Sequence, residues 1–301
     1  MSQSSPFVPA KDAGEVANLG KDEAIQYHYD NDTEFFSLWL DDTVTYSSGR
    51  WFAPLQADPI VTDLNAAQSE KLRFHLDALA LKPDATLLDV GCGWGSILKR
   101  AVADYGVKRA VGLTLANDQL KHIEDLGDPR IEARLQDVFF YAPEERYDGI
   151  ISIGAFEHFA SPTMSKAQKI DIYSRFFEKC HAISKPKSTL SLQSIVWDHV
   201  DFDEAKTLIP ETVFPNSDIP FLDEILLASN KYYFLEYVEN RRDDYAQTLS
   251  AWISNLQSRK DEIIARWDHV KYDFFEDYLR TSRIAFVRRK NSLARLVLRR
   301  R

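Results

Sequence analysis

The segment LLDVGCGWGS, at residues 87–96, constrains the fold of this chain more than any other feature. A strand-like apolar run leads into glycines at alternate positions, Gly91, Gly93 and Gly95, and a helical pattern begins directly afterwards. Glycine accepts backbone conformations that other residues avoid, and it lets a ligand approach the chain without a Cβ in the way. The segment therefore predicts a strand-to-helix turn that lies against a nucleotide cofactor.

Strand-like and helical patterns alternate around this turn. The strand-like runs are 85–91, 109–115, 130–138, 147–156, 188–196 and 293–298, and the helical patterns cover 96–105, 117–126 and 170–183. Such alternation is typical of a parallel sheet with helices on both faces. The predicted fold class is α/β and Rossmann-like, with a mostly parallel seven-stranded sheet.

The chain is predicted to form a single domain with an N-terminal helical cap and an inserted lid. The predicted parts are a flexible tail (1–20), the helical cap (21–75), the cofactor-binding core (76–196), the lid after the fifth strand (197–230) and the C-terminal part of the core (231–301). In the cap, Phe35, Phe36 and Trp39 recur at helical spacing, which we interpret as a buried face. The lid is proposed because its polar, proline-containing sequence is too irregular for the sheet.

The cofactor is predicted from the spacing of the glycines and from the end of the second strand. Nicotinamide-binding units usually carry G-x-G-x-x-G and an acidic residue about twenty positions further on. Here the spacing is G-x-G-x-G, Asp89 directly precedes the turn, and the second strand ends in Thr114 and Leu115 without a carboxylate. Both differences argue against a nicotinamide cofactor.

Charge and composition limit the classes of partner that we expect for this protein. A formal net charge of -9 argues against nucleic acid, which needs a basic surface. No apolar run approaches the ~20 residues of a membrane span, and the two cysteines suit a reducing compartment, so we expect a cytoplasmic protein. The basic segment 288–301 has two interpretations, a peripheral membrane contact and a final strand at 293–298, of which we favour the strand. The histidines show no metal-ligand spacing, so no metal is predicted.

Five motifs together resemble a known family. They are DVGCGWGS (89–96), GLTLANDQ (112–119), LQDV (135–138), SIGAFEHF (152–159) and DYAQTLSAW (244–252). In order and approximate spacing they resemble cyclopropane fatty acid synthases and mycolic acid cyclopropane synthases, which are class I methyltransferases dependent on S-adenosylmethionine. The resemblance runs from about Gln26 to the end. The same layout also serves plant alkaloid N-methyltransferases and bacterial C-methyltransferases.

The resemblance implies S-adenosylmethionine as the cofactor and assigns residues to it. The residues it implies near the methionine part are Tyr46, Ser47, Gly91 and Gly93, those near the ribose and adenine are Thr114, Leu115 and Gln119, and those at the adenine edge are Gln136, Asp137 and Val138. Asp89, directly before the turn, is also predicted to bind the cofactor. Neutral hydrogen-bonding partners suit a ribose where no acid is available.

Catalytic residues are implied in the same way. Glu157 and Tyr245 match residues that hold a bicarbonate ion in the synthases, and His158 lies beside Glu157 at the end of the fourth strand. Ser48 stands where those synthases have Cys, and Gln193 stands where they have His, so bicarbonate remains a second candidate ligand only. The resemblance also places two tyrosines in the acceptor pocket, Tyr27 and Tyr29.

The function expected from these residues is transfer of a methyl group to an electron-rich carbon of a small apolar or amphipathic acceptor, a lipid or natural product. Cyclopropanation of an unsaturated acyl chain is its most specific form. The alternatives are N- or C-methylation of a small heterocyclic, alkaloid-like metabolite, and a non-catalytic cofactor-binding subunit. No oligomeric state is predicted.

Overall fold

The computed structural model describes residues 33–202, 204–205 and 217–301. The described helices are α1 (Thr33–Ser37), α2 (Leu64–Leu79), α3 (Ser96–Asp104), α4 (Asn117–Glu124), α5 (Lys166–Ile183), α6 (Leu222–Ser229), α7 (Arg242–Ser258), α8 (Lys260–Arg266) and α9 (His269–Val287). The strands are β1 (Thr86–Val90), β2 (Arg109–Thr114), β3 (Ile131–Leu135), β4 (Tyr147–Ile153), β5 (Ser184–Trp197), β6 (Tyr233–Asn240) and β7 (Asn291–Arg300). A short 3₁₀ turn, Phe156–His158, follows β4.

The strands form one seven-stranded sheet in the order β3-β2-β1-β4-β5-β7-β6. β1 to β5 run parallel, whereas β7 runs antiparallel to both of its neighbours. This architecture confirms the predicted fold class. The strand order reverses between β1 and β4, and open α/β sheets bind ligands at such a point, outside the carboxyl ends of the strands. The glycine turn follows β1 and the Glu157 turn follows β4, so both lie at this point.

The burial of the central strands explains the continuous apolar runs from which they were predicted. Every residue of β1 is buried, which matches its continuous apolar run. β6 was not identified as a strand from the sequence. It pairs only with β7 at the edge of the sheet and leaves Phe234, Leu235 and Val238 exposed, so its residues do not alternate between apolar and polar. The segment predicted as the last strand is confirmed, although β7 lies inside the sheet.

The helical cap was predicted too broadly. Residues 38–63 are not helical, and Pro54 and Pro59 in the second half of this segment lack the N–H that a helix interior needs. The interpretation of the aromatic face as core is confirmed, since Phe35, Phe36 and Trp39 are fully buried. The predicted flexible tail and the cap up to residue 32 lie outside the described residues.

The predicted lid is only partly described, because residues 203 and 206–216 are not. Its predicted end at residue 230 lies too far along the chain: α6 places Ile225 and Ala228 in the main hydrophobic core against α5. Asp218 anchors the described segment before α6, since its carboxylate lies 2.8 Å from the buried Lys169 ammonium.

A buried ion pair joins the last strand to three other parts of the fold. Arg295 of β7 is fully buried, and its guanidinium lies 2.6 Å from the Asp244 carboxylate of α7. It also donates to Gln193 Oε1 of β5 at 2.8 Å and to the Gly49 carbonyl at 2.9 Å. Asp244 in turn accepts the Trp51 N–H at 2.7 Å. The pair therefore fixes the segment around residue 50 against the sheet.

Replacing this buried cation should strongly destabilise the protein. Arg295→Met leaves the Asp244 carboxylate buried without its counter-ion, which typically costs about 3–5 kcal/mol. The matched control is Arg299→Met on the same strand, whose guanidinium pairs with the partly exposed Glu236 at 3.0 Å, a type of contact worth about 1 kcal/mol or less. Urea unfolding measures both free energies, and equal losses would contradict the role given to Arg295.

Candidate active site

The glycine turn after β1 borders a cavity, and its glycines serve different purposes. Gly93 has a φ of +54°, and a Cβ built on it would meet no atom within 4 Å, so this position opens onto the cavity. A Cβ on Gly91 would lie 2.5 Å from the Cβ of Ala155. Gly91 is therefore needed for close packing of the β1 turn against the β4 turn, although it also borders the cavity. The sequence analysis explained both glycines in the same way, by the approach of a ligand.

The structure brings all the predicted cofactor residues to this one cavity. The predicted residues that line it are Tyr46, Ser47, Asp89, Gly91, Gly93, Thr114, Leu115, Gln119, Gln136, Asp137 and Val138. The cavity is also lined by Lys71 of α2, which no sequence motif indicated. These residues come from three strand ends and from the cap, so the sheet and the cap together form the cavity.

The end of β2 offers neutral hydrogen-bonding groups. The Thr114 hydroxyl donates to Gln119 Oε1 at 2.7 Å and accepts the Ala116 N–H at 3.1 Å. After β3, Asp137 accepts the Phe139 N–H at 2.8 Å. These contacts hold the two loops in shape. The β2 end itself carries no carboxylate, as expected where neutral groups contact a ribose hydroxyl.

Two oppositely charged side chains lie at the other end of the cavity. Asp89 is 3% exposed, and burial raises its pKa to about 7 against the opposing effect of Lys71. Lys71 is 1% exposed, and burial lowers its pKa to about 7 against the opposing effect of Asp41. Its ammonium donates to Ser47 Oγ at 3.0 Å.

S-adenosylmethionine fits this cavity by the chemistry of its lining. The open position at Gly93 leaves room that a Cβ would fill. Neutral groups at Thr114 and Gln119 suit the ribose, and the acid and cation at Asp89 and Lys71 suit the two charges of an amino acid. When bound, this cofactor supplies an electrophilic methyl group.

A second, larger cavity adjoins the first. It has a volume of about 610 Å³, and Tyr46, Ser47, Gly154 and His158 line both cavities. The structure brings the remaining predicted residues together here, because its lining includes Ser48, Glu157, His158, Gln193 and Tyr245. Most of the wall is apolar, and the apolar lining residues include Ile195, Trp197, Leu249, Trp252, Phe274, Phe286 and Leu293. We call this space the acceptor cavity.

Glu157 is the buried carboxyl group of the acceptor cavity. Its Oε1 accepts the Ile195 N–H at 2.6 Å, whereas its Oε2 is buried and has no hydrogen-bond partner among the described residues. Burial raises the pKa of Glu157 to about 7, and the Ile195 N–H opposes this shift. The group can therefore hold or release a proton near neutral pH.

His158 and Tyr245 lie on the same cavity wall. His158 Nδ1 lies 2.8 Å from Ser217 Oγ, which links the β4 turn to the described end of the predicted lid. Tyr245 packs against Phe286, with 4.6 Å between ring centroids, and edge-on against Trp252. Both side chains are thus held by packing beside Glu157.

The orientation of Gln193 is determined by its neighbours. A guanidinium has no acceptor, so the atom that faces Arg295 Nε at 2.8 Å must be the amide oxygen. The same oxygen lies 3.4 Å from His75 Nε2, and the amide nitrogen donates to the Ser48 carbonyl at 3.4 Å. Gln193 therefore directs its N–H groups, rather than its oxygen, towards Ser48 on the cavity side. Sequence reasoning missed Arg295 because nothing in its surroundings forms a motif.

His75 is part of the scaffold, as its lack of ligand spacing suggested. It is fully buried, and its Nδ1 lies 2.8 Å from Ser191 Oγ. Burial and the nearby Arg295 lower its pKa well below the ordinary value, so the ring is neutral. Across the described parts of the chain, no group of His, Cys, Asp and Glu is arranged to hold a metal ion.

The placement of two tyrosines in the acceptor pocket stays a prediction. Tyr27 and Tyr29 lie outside the described residues. Within the described ranges, no helix is both long and apolar enough to cross a bilayer.

A glycine turn that opens onto a nucleotide-sized cavity, beside an apolar cavity with a buried acid, is the arrangement of a Rossmann-like methyltransferase. Known proteins agree with this class. The family model described as mycolic acid cyclopropane synthetase matches residues 18–296. The chain belongs to this family, and the protein is a methyltransferase that depends on S-adenosylmethionine.

Individual relatives support the same assignment. Cyclopropane mycolic acid synthase 2 of Mycobacterium bovis is 34% identical over 276 residues, 86% of this chain and 88% of that protein. The solved structure of the cyclopropane synthase MmaA2 from Mycobacterium tuberculosis matches with a TM-score of 0.80 at 30% identity, covering 94% of this chain and 99% of that one. Mycolic acid cyclopropane synthase CmaA1, solved with SAH and CTAB, matches with a TM-score of 0.78 at 28% identity, covering 92% and 98%.

Gly93→Val should abolish cofactor binding without unfolding the protein. The branched side chain would enter the space that the cofactor needs. Gly127→Val is the matched control, because Gly127 has a φ of +65° and also meets no atom within 4 Å, but lies away from the cavity. Calorimetry with S-adenosylhomocysteine measures binding, and circular dichroism measures folding. Unchanged binding by Gly93→Val would refute the placement of the cofactor.

Proposed function

We propose that this enzyme transfers a methyl group to an electron-rich carbon, such as an alkene carbon, of an apolar or amphipathic acceptor. The observation that carries the proposal is Glu157, a buried carboxyl group that lines a large, mostly apolar cavity, which shares a wall with the cofactor cavity. The apolar wall disfavours water, and Glu157 provides a proton-accepting group beside the cofactor cavity. The acceptor is a lipid or a natural product.

The relatives support an apolar acceptor. Relatives at 34% identity are cyclopropane mycolic acid synthases, and the related CmaA1 was solved with CTAB. The acceptor cavity of this chain is lined mainly by aliphatic and aromatic side chains, which gain free energy by covering apolar surface of a ligand. Polar groups at its wall, which include Asp277, Thr281 and Ser282, suit an acceptor with a polar portion.

The mechanism rests mainly on alignment. The walls of the two cavities hold the acceptor carbon in line with the methyl group and keep water away. The π electrons of the acceptor form the new carbon–carbon bond, the sulfur–carbon bond breaks to leave a neutral thioether, and a carbocation remains on the acceptor. Ionised Glu157, which lines the same cavity, takes one proton from a neighbouring carbon, and this restores a double bond. Tyr245 and Trp252 line the cavity with aromatic faces that favour positive charge.

Bicarbonate fits this site poorly. The Ser48 hydroxyl donates to the Gly49 carbonyl at 3.0 Å, and the Gln193 oxygen is occupied by Arg295. The Gln193 amide nitrogen does offer N–H donors, but the Ser48 carbonyl already accepts from it at 3.4 Å and adds an acceptor to the site, whereas an anion needs several donors to converge. We therefore assign the proton to Glu157 and propose that the product keeps an intact methyl group instead of a cyclopropane.

N-methylation of a heterocyclic amine is the second candidate. The feature that favours it is Asp277, an acidic side chain at the wall of the acceptor cavity, which could pair with a protonated amine. A coclaurine N-methyltransferase shares the fold at 17% identity with a TM-score of 0.70. Product analysis separates the two candidates, because one places the methyl group on carbon and the other on nitrogen.

Glu157→Gln should lower turnover by at least about tenfold, since one acid–base group is typically worth ~10²–10⁴ in rate. Affinity for S-adenosylhomocysteine should change little. In the parent enzyme, kcat should rise with pH through about 7 as Glu157 ionises, and the variant should lack this rise. Turnover is measured with cis-monounsaturated fatty acid and phospholipid vesicles as acceptors.

The control for Glu157 is Glu224→Gln, which changes another buried carboxyl group that lies outside both cavities. It should leave turnover close to that of the parent. Normal turnover by Glu157→Gln would show that Glu157 has only a structural role. Failure of the parent to methylate any unsaturated acceptor would count against an alkene substrate.

The fate of the transferred methyl group can be read by mass spectrometry. With a fully deuterated methyl group on the cofactor, simple methylation keeps all three deuterons, whereas cyclopropane formation must discard one. We expect full retention and no stimulation by added bicarbonate. Loss of one deuteron together with bicarbonate stimulation would show that Ser48 and Gln193 still form an anion site.

A further inference from the structure

Lys71 is a buried lysine that forms no ion pair with any described residue. It lies on α2, its side chain is 1% exposed, and its ammonium makes one hydrogen bond, to the neutral Ser47 hydroxyl at 3.0 Å. In the described part of the chain, no carboxylate oxygen lies within 4.0 Å of it. The nearby Asp41 carboxylate instead accepts the backbone N–H groups of Thr43 and Thr45 at 3.0 and 2.8 Å.

Two other buried cations of the described residues each have a carboxylate partner. Arg295 lies 2.6 Å from Asp244, and Lys169 lies 2.8 Å from Asp218. An ammonium group removed from water without a counter-ion is costly, so a buried lysine normally has an anion beside it. The missing partner of Lys71 is therefore expected from outside the described chain.

The position of Lys71 indicates which anion this is. Lys71, Ser47 and Asp89 line the cofactor cavity on the side of the glycine turn. Asp89 is 3% exposed, and neither of its carboxylate oxygens accepts a hydrogen bond from a described residue. Asp89 is close enough to Lys71 for each to shift the pKa of the other. A lysine and an acid that form no ion pair with a described residue complement the carboxylate and the ammonium of an α-amino acid.

We propose that Lys71 binds the α-carboxylate of S-adenosylmethionine while Asp89 faces the α-ammonium group. The methionine part would then be recognised as a zwitterion, and Ser47 would orient the lysine through its hydroxyl. The inference concerns the cofactor, so it is independent of the acceptor and of the chemistry proposed for Glu157.

The test measures binding of three ligands to the parent protein and to Lys71→Met. S-adenosylhomocysteine carries the complete amino acid, its decarboxylated analogue S-adenosyl-3-thiopropylamine lacks only the carboxylate, and 5′-methylthioadenosine lacks the whole amino acid. Lys71→Met should lower the affinity for S-adenosylhomocysteine by about 10- to 100-fold, as expected for the loss of a charged hydrogen bond. It should leave the affinities of the two carboxylate-free ligands nearly unchanged.

Two further variants keep the test decisive. Lys71→Arg retains the cation and should recover part of the affinity for S-adenosylhomocysteine. It replaces Lys71→Met in the test if that variant fails to fold. Lys169→Met removes a buried lysine outside both cavities, and it should leave the relative affinities of the three ligands as in the parent. Equal weakening of all three ligands by Lys71→Met, or of none, would show that Lys71 serves only the scaffold and would overturn the proposal.

Discussion

The pair between Arg295 and Asp244 is the interaction on which the two cavities depend. It lies where β5, β7, α7 and the segment around residue 50 meet, and every polar atom of the guanidinium that faces them has a partner. A buried pair of this kind gives little net stability over an apolar core but strongly penalises any arrangement that separates its members. It therefore specifies one position for the cap against the sheet. That position places Tyr46 and Ser47 between the cofactor and the acceptor.

Much of the cofactor side could be predicted from the sequence, because its residues lie in short segments at strand ends. The turn at Gly93, the end of β2 at Thr114 and the loop at Asp137 each follow a strand, and parallel strands bring their carboxyl ends to one edge. The buried strands also share a continuous apolar pattern. The fold class therefore followed from local signals that agree with one another.

The rest could not be predicted because its partners are distant in sequence and belong to no motif. Gln193 was recognised as a departure, but its amide orientation follows from Arg295, about a hundred residues away. Lys71 lies on a helix with an ordinary polar face, and only the packed structure shows that it is buried. β6 lacked an alternating pattern because an exposed edge strand does not need one.

The placement of β7 has a consequence for the order of folding. β6 pairs only with β7, and β7 enters between it and β5, so a strand made late in synthesis completes the sheet. Until it does, Asp244 and Gln193 lack the guanidinium that satisfies them, and the floor of the acceptor cavity is unfinished. Pairings between such distant segments form slowly, because the chain must close long loops first. A nascent chain therefore has its glycine turn well before it can enclose an acceptor, and the exposed apolar wall at that stage is a natural target for chaperones.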